Sequence, residues 1–250
     1  VQYQRDGIFQ NGNFPEHSKG KRELLRFFDF NSKTGVVYKI DGHHYLESNI
    51  AFLSRAPNLR NSFSNSRQNN DVVKNIKSEK GEAIDMSYIY RSPQMNLRIS
   101  GFFNHFHDGT EISFYYADGI SGIEEQNTST AFVQEILTGI EKDYLGLEFG
   151  ADFSLTSTIK LRAAGSIGEY IYSSNPFLYL TSDDFNEPLL MGSSHLKNYH
   201  IAGGPENAFQ LGFEYRDPSF WWFSTSINWF SDAYIDSSPL TRTKNFYQDP

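Results

Sequence analysis

Hydrophobic positions recur every second residue along much of the chain. From 145 to 155 the odd positions are Leu145, Leu147, Phe149, Ala151, Phe153 and Leu155, and the even ones are Gly146, Glu148, Gly150, Asp152 and Ser154. A period of two marks a strand with one apolar face. After Thr156-Ser157-Thr158 the alternation resumes with Ile159, Leu161, Ala163, Gly165 and Ile167 opposed to Lys160, Arg162, Ala164, Ser166 and Gly168. The two segments predict a hairpin. Keeping both apolar sets on one face requires an odd-numbered connection, which sets Leu155 opposite Ile159 and Asp152 opposite Arg162.

The same grammar recurs. Ile84, Met86, Tyr88 and Tyr90 pass through Arg91-Ser92-Pro93-Gln94 into Met95, Leu97, Ile99, Gly101 and Phe103. Phe209, Leu211, Phe213 and Tyr215 pass through Arg216-Asp217-Pro218-Ser219 into Trp221, Phe223, Thr225, Ile227 and Trp229. A first hairpin, 36–40 with 43–55, is predicted to turn at Asp41-Gly42, a favoured two-residue turn; its facing is ambiguous because both parities hold apolar residues. Long polar connections, 56–77, 108–143 and 173–207, with ragged ends at 5–23 and 236–250, alternate with these short turns and sort to the opposite rim. Several structureless loops of that length are rare in a compact domain and usual in an outer-membrane barrel.

Lipid, rather than water, fits the apolar faces. The strands run to a dozen residues or more, as tilted membrane strands require. Their apolar faces carry no Lys or Arg over the central stretches, whereas Arg98, Glu148, Asp152, Lys160, Arg162 and Glu214 lie on the other face, as a polar lumen demands. Aromatic residues crowd the strand ends beside the turns, at Tyr88, Tyr90, Tyr215, Trp221, Trp222 and Phe223, where interfacial girdles sit. The expected fold is an all-β, antiparallel up-and-down transmembrane β-barrel segment of about eight long strands, with short periplasmic turns and long extracellular loops. An open arc is expected rather than a closed ring, because the end strands lack neighbours.

Composition sharpens this picture. The 250 residues include 22 Phe, 15 Tyr and 3 Trp, yet 21% are charged and the mean hydropathy is -0.52, as strands with one greasy face would give. No apolar run is long enough for a spanning helix. The formal net charge of -8 and the lack of a Lys/Arg cluster argue against a nucleic-acid partner. Cysteine is absent, which removes disulfide frameworks, zinc ribbons and cysteine nucleophiles. No Gly-x-Ser-x-Gly elbow, phosphate-binding glycine loop or His-Glu-x-x-His is found, so the chain reads as a non-enzyme that needs no cofactor.

Candidate binding chemistry lies in the loops. Tyr115 and Tyr116 with Asp118 offer stacking beside an acceptor, and Asp183 and Asp184 with Glu187, after Tyr179, offer carboxylates for a cation or sugar hydroxyls. Arg55, Arg60 and Arg67 could grip an anionic solute bidentately, and solvated surface charge explains them equally well. His105 and His107, two apart on one strand face, are half of a metal site with no third ligand placed by sequence.

Asn75-Ile76-Lys77-Ser78-Glu79-Lys80, followed by Ile84-Asp85-Met86-Ser87-Tyr88, resembles the asparagine-leucine-lysine-proline-glutamate-lysine segment that opens a strand in TonB-dependent outer-membrane receptors, with Ser78 in place of proline. Asn96-Leu97-Arg98-Ile99-Ser100-Gly101-Phe102-Phe103 resembles that family's next strand. The blocks Leu180-Thr181-Ser182-Asp183-Asp184-Phe185, Asn198-Tyr199-His200-Ile201-Ala202-Gly203-Gly204-Pro205, Phe213-Glu214-Tyr215-Arg216-Asp217-Pro218 and Ser238-Pro239-Leu240-Thr241-Arg242-Thr243 look like receptors of the Bacteroidetes branch. The resemblance implies a place in the cell outer membrane of a Gram-negative bacterium. It also implies contact with outer-membrane lipid, a scarce nutrient (siderophore, vitamin, glycan or peptide) bound by the external loops, and energy from the TonB complex. Residues 1–250 would be a partial barrel, its plug domain and terminal strands absent. Other readings are a passive outer-membrane channel or anchored barrel, and a soluble β-rich carbohydrate-binding module.

Overall fold

Antiparallel pairing carries the chain back and forth across one continuous sheet. The computed structural model describes all residues except 10–11, 15–17, 22–23, 66–68, 119–129, 183–184, 186 and 247–250, together with the backbone but not the side chains of Asp118 and Thr130. Two short strands, β1 (Gln2–Tyr3) and β2 (Leu25–Arg26), pair with each other. There follow β3 (Ser32–Lys39), β4 (His44–Arg55), β5 (Glu79–Arg91), β6 (Met95–Asp118), β7 (Thr130–Ser154), β8 (Ile159–Tyr172), β9 (Phe177–Thr181), β10 (Leu189–Ser193), β11 (Pro205–Arg216) and β12 (Trp222–Ala233). The spatial order is β12-β11-β8-β7-β6-β5-β4-β3, with β9 attached to the far part of β7 and β10 to β9. Among the described residues β3 and β12 have no outer neighbour, so the meander is an open arc. The protein is an all-β, antiparallel segment of β-barrel wall.

The registers place the alternation as expected. Leu155 and Ile159 close the β7–β8 turn (N to O 3.0 Å), and Asp152 stands opposite Arg162, with Nε 3.3 Å from Oδ1. The β5–β6 turn is two residues, 93–94, closed by Ser92 N to Met95 O at 2.8 Å. The β3–β4 turn corrects the expected two-residue Asp41-Gly42 turn. Ile40 N bonds His44 O at 2.9 Å, so three residues, 41–43, form the loop. The Asp41 carboxylate stabilises that longer turn by accepting from His43 N (2.7 Å) and His44 N (2.9 Å). These two bonds hold the Asp41 carboxyl below its usual range. The resulting register, Tyr38 opposite Leu46 and Ile50 opposite Ile84, assigns even positions of β3 and β4 to the apolar side.

That side buries nothing beneath a second layer. Ile227 is 72% exposed, Leu147 60%, Met86 58% and Ile167 54%. Its run on β7, residues 145–155, extends roughly 35 Å along the strand and, tilted by about 45°, about 25 Å in height, the height of a membrane barrel's apolar band. Gly165 lets the outward rings of Phe149 and Phe209 meet, centroids 6.3 Å apart; a Cβ there would lie 2.5 Å from the Phe149 ring.

The expected long polar connection at 108–143 is instead mostly strand. β6 and β7 run 24 and 25 residues, twice the length of their neighbours, and remain paired up to Asp118 and Thr130. Halfway, the ladder is interrupted between Phe106 and Gly109 and again before Thr110, with Asp108 (φ 59°) and Gly139 (φ 70°) in left-handed conformation. The interruption exchanges the faces. Below it odd positions point to the apolar side. Above it odd Tyr115 and Leu137 pack in one cluster with even Tyr172 of β8, and odd Glu111 meets even Lys142 (2.8 Å). This extension, with β9 and β10, carries the buried core. Leu137, Ile140, Leu178, Leu180, Met191, Leu196 and Leu240 cluster on one face, and Val73, Ile112, Ile136 and Tyr179 on the other.

Candidate functional site

Two places gather polar chemistry: the inner face of the wall and its rim beneath the extension. Along the wall the positions opposite the apolar side form a groove of about 730 Å³ lined by Lys33, Glu47, Asn49, Asp85, Arg98, Ser100, Asn104 and Glu148, with Phe102 among them. Alternation puts each there, because every strand turns its second residue inward. Asn49 Nδ2 donates to Asp85 (3.0 Å) and Glu47 (3.2 Å), and Arg98 donates to Ser87 and Ser100 (both 3.1 Å) while its guanidinium lies 3.8 Å from Glu47. Farther round the arc Arg162 bridges Asp152 (3.3 Å) and Glu214 (3.2 Å), and Arg216 holds the other Glu214 oxygen. Such a ladder of paired charges keeps a surface wet and gives a passing polar solute successive partners. Lys33, Asn49, Asp85 and Asn104 were not singled out from sequence, although the polar parity of their strands was the available signal.

The loop candidates separate. Tyr115 is half-buried against the inner cluster and donates to Glu135 (3.0 Å). Burial and the Glu135 charge raise its pKa, and burial raises that of Glu135, countered in part by the Tyr115 hydrogen bond. Tyr179 is 2% exposed, and its hydroxyl accepts from Lys74 N (3.0 Å), so it holds the 56–77 loop onto the extension. Tyr116 is 75% exposed, its ring 5.1 Å from Phe132, whose ring lies 6.1 Å from Phe114; the Arg60 guanidinium lies 5.6 Å over Phe114. Arg60 and Tyr116 thus share one aromatic strip; Tyr179 is buried in the cluster against which Phe114 of that strip packs, and Tyr115 lies on the opposite face. Arg67, Asp183, Asp184 and the Asp118 side chain lie outside the described residues.

His105 and His107 stack with centroids 5.6 Å apart. His105 Nδ1 lies 2.5 Å from Asp143, and His107 Nδ1 lies 3.3 Å from Asp108. Each ring has its own carboxylate, and among the described residues no three His, Asp or Glu side chains converge as metal ligands. Beside them, at the rim, a second pocket of about 480 Å³ is lined by Tyr3, Arg55, Asn58, Asn61, Lys77, Glu79 and Asp108, with Ala56, Pro57, Leu59 and Thr110. Arg55 pairs with Glu79 (2.5 Å) and Lys77 with Asp108 Oδ1 (3.1 Å). Burial acts to raise the Asp108 carboxyl, but Lys77, by hydrogen bond and charge, with His107 and Lys80 adding theirs, holds it below its usual range.

No protein-family model matches the chain, and no curated protein matches it. Among solved structures it is similar to one described as the copper transporter OprC, with 18% identity and a TM-score of 0.51 over 80% of this chain. The chain spans 26% of that structure's length. At this identity the likeness establishes the fold alone, a section of β-barrel wall.

Proposed function

We propose that this chain is part of a TonB-dependent outer-membrane receptor that captures a scarce solute with its extracellular loops and imports it. One observation carries the reading. Eight neighbouring strands turn exposed large apolar side chains to one side, with no charge between the rims, and paired charges to the other. In water such a face would be an apolar patch far beyond the few hundred Å² a soluble surface tolerates. The arc is one portion of a longer barrel, and the likeness to a quarter of a transporter's length agrees with that. Residues 75–80 favour a TonB-dependent receptor, and the other blocks described above favour its Bacteroidetes branch. The plug, and with it the contact to TonB, belongs to the rest of the protein. Solute enters from the side of the β6–β7 extension, and the charged inner face lines its route.

The full-length product is expected to require detergent and to migrate faster on a gel unheated than heated. A strain lacking it is expected to lose uptake of one nutrient class, with uptake restored by the gene and abolished again without TonB. Full solubility without detergent would remove the membrane assignment, and uptake independent of TonB would leave a passive channel.

A further inference from the structure

We propose that the rim pocket between the 56–59 backbone, β5 and the Asp108 bulge binds the charged ends of a zwitterionic solute of amino-acid or short-peptide size. Its ammonium would sit on Glu79 and Asp108, and its carboxylate on Arg55 and Lys77. The pocket's about 480 Å³ falls within the roughly 300–1,000 Å³ of small-molecule sites.

Three features choose the class. The first is charge balance: two cations and two carboxylates line the space, already joined as Arg55–Glu79 and Lys77–Asp108. A lone anion would draw the cations away, leaving the partly desolvated Glu79 unpaired and Asp108 without its Lys77 partner, a costly state. A lone cation would do the reverse. A zwitterion exchanges partners at both ends and leaves no charge orphaned. A neutral polyol offers the bound ions nothing that they lack.

The second feature is depth. The side chains of Arg55 and Lys77 are 79% and 65% exposed, whereas those of Glu79 and Asp108 are 33% and 18% exposed. The carboxylates therefore form the floor, and the cations are long arms at the lip, free to swing onto an incoming carboxylate. The third is the division of labour on Asp108. Lys80 (3.5 Å) and His107 (3.3 Å) hold Oδ2, and neither lines the pocket, while Lys77 alone is paired with Oδ1. When Lys77 swings outward, Oδ1 faces the pocket and Asp108 stays anchored.

The proposal rests on the importer reading for what the bound solute does next, so binding and uptake are measured apart. The full-length receptor in detergent is titrated calorimetrically with trialanine, N-acetyl-trialanine, trialanine amide and maltose. Trialanine is expected to bind, N-acetylation to weaken it at least tenfold, and amidation to weaken it less, since its partners are exposed. Asp108→Asn and Glu79→Gln should each weaken trialanine about tenfold while leaving heat-modifiable gel mobility unchanged; Asn tolerates the left-handed backbone at 108. Silence of trialanine at millimolar concentration, equal binding of the acetylated peptide, preference for maltose, or indifference to both substitutions would each overturn the pocket assignment. Trialanine bound as expected but not taken up by cells would sustain the pocket and sink the importer reading. Uptake of another nutrient, unaffected by both substitutions, would do the opposite.

Discussion

β6 and β7 cross two environments, and their lower and upper halves obey opposite rules. In the wall, Leu147 and Ile167 are more than half exposed and carry no layer above them. In the extension, Val133, Ile136 and Leu178 are fully buried. On the proposed membrane reading, hydrophobic side chains in the wall are satisfied by lipid hydrocarbon; those in the extension are satisfied by one another. On that reading the wall is held mainly by its continuous backbone ladder, for which no water competes. The extension buries its apolar side chains in two clusters, as a core formed in water does, where burial of apolar area is the driving force. The break at Asp108 and Gly139 falls between the two regimes.

Truncating a core side chain of the extension should give the largest effect. Leu178→Ala removes a fully buried residue of β9, which packs on Leu137, and is expected to cost about 2–5 kcal/mol. Hydrogen exchange of the full-length protein in detergent should show lost protection at 134–138 and 177–181, with 145–154 unchanged. Loss of protection along the whole of β7 would mean that extension and wall unfold as one unit.

The wall answers to a different substitution. Leu147→Arg places a charge inside the apolar band, between its middle and its upper end, and is expected to cost about 1–3 kcal/mol in lipid. Refolding into bilayers, followed by urea titration, measures it. Were that face wetted, the same change at a position 60% exposed would be nearly neutral.

This division also explains what could be read from the chain. Where one face is apolar and exposed and the other carries the charges, alternation is clean, and it gave the pairing of β7 with β8 down to Asp152 opposite Arg162. Above the bulge both faces are covered, so Ile112, Phe114 and Tyr115, or Val133, Ile136 and Leu137, follow no single parity and residues 108–143 read as loop. Two bulges then reversed the phase. In β3 and β4 the apolar residues Val37, Tyr45 and Leu53 occupy inward positions, which blurred the facing, and a side-chain hydrogen bond rather than a sequence preference lengthened the 41–43 turn. The binding candidates were chosen by residue type alone. Type cannot separate Tyr179, a buried hydroxyl holding a loop, from Tyr116, an exposed ring, because burial depends on the long-range packing of 56–77 on β9.

The smallest effect expected concerns the one acid built into the buried extension between Gln134 and Ile136. Burial raises the Glu135 pKa, so its folded value lies above its unfolded one. Its contribution to stability is therefore complete below the ordinary glutamate value of about 4.3 and is lost as pH rises through the raised folded value. Glu135→Gln keeps an acceptor for the Tyr115 hydroxyl, 3.0 Å away, and cannot ionise. Protection of the 131–137 amides, corrected for intrinsic exchange, is expected to fall between pH 4 and pH 8 in the wild type. It should stay nearly level in the variant, whose advantage appears only at the higher pH. Because a wall carboxylate such as Asp152 is exposed and already paired with Arg162, Asp152→Asn should leave this profile unmoved. Equal slopes for wild type and Glu135→Gln would mean that water reaches the carboxylate, and that the extension is not the dry layer that sets it apart from the wall.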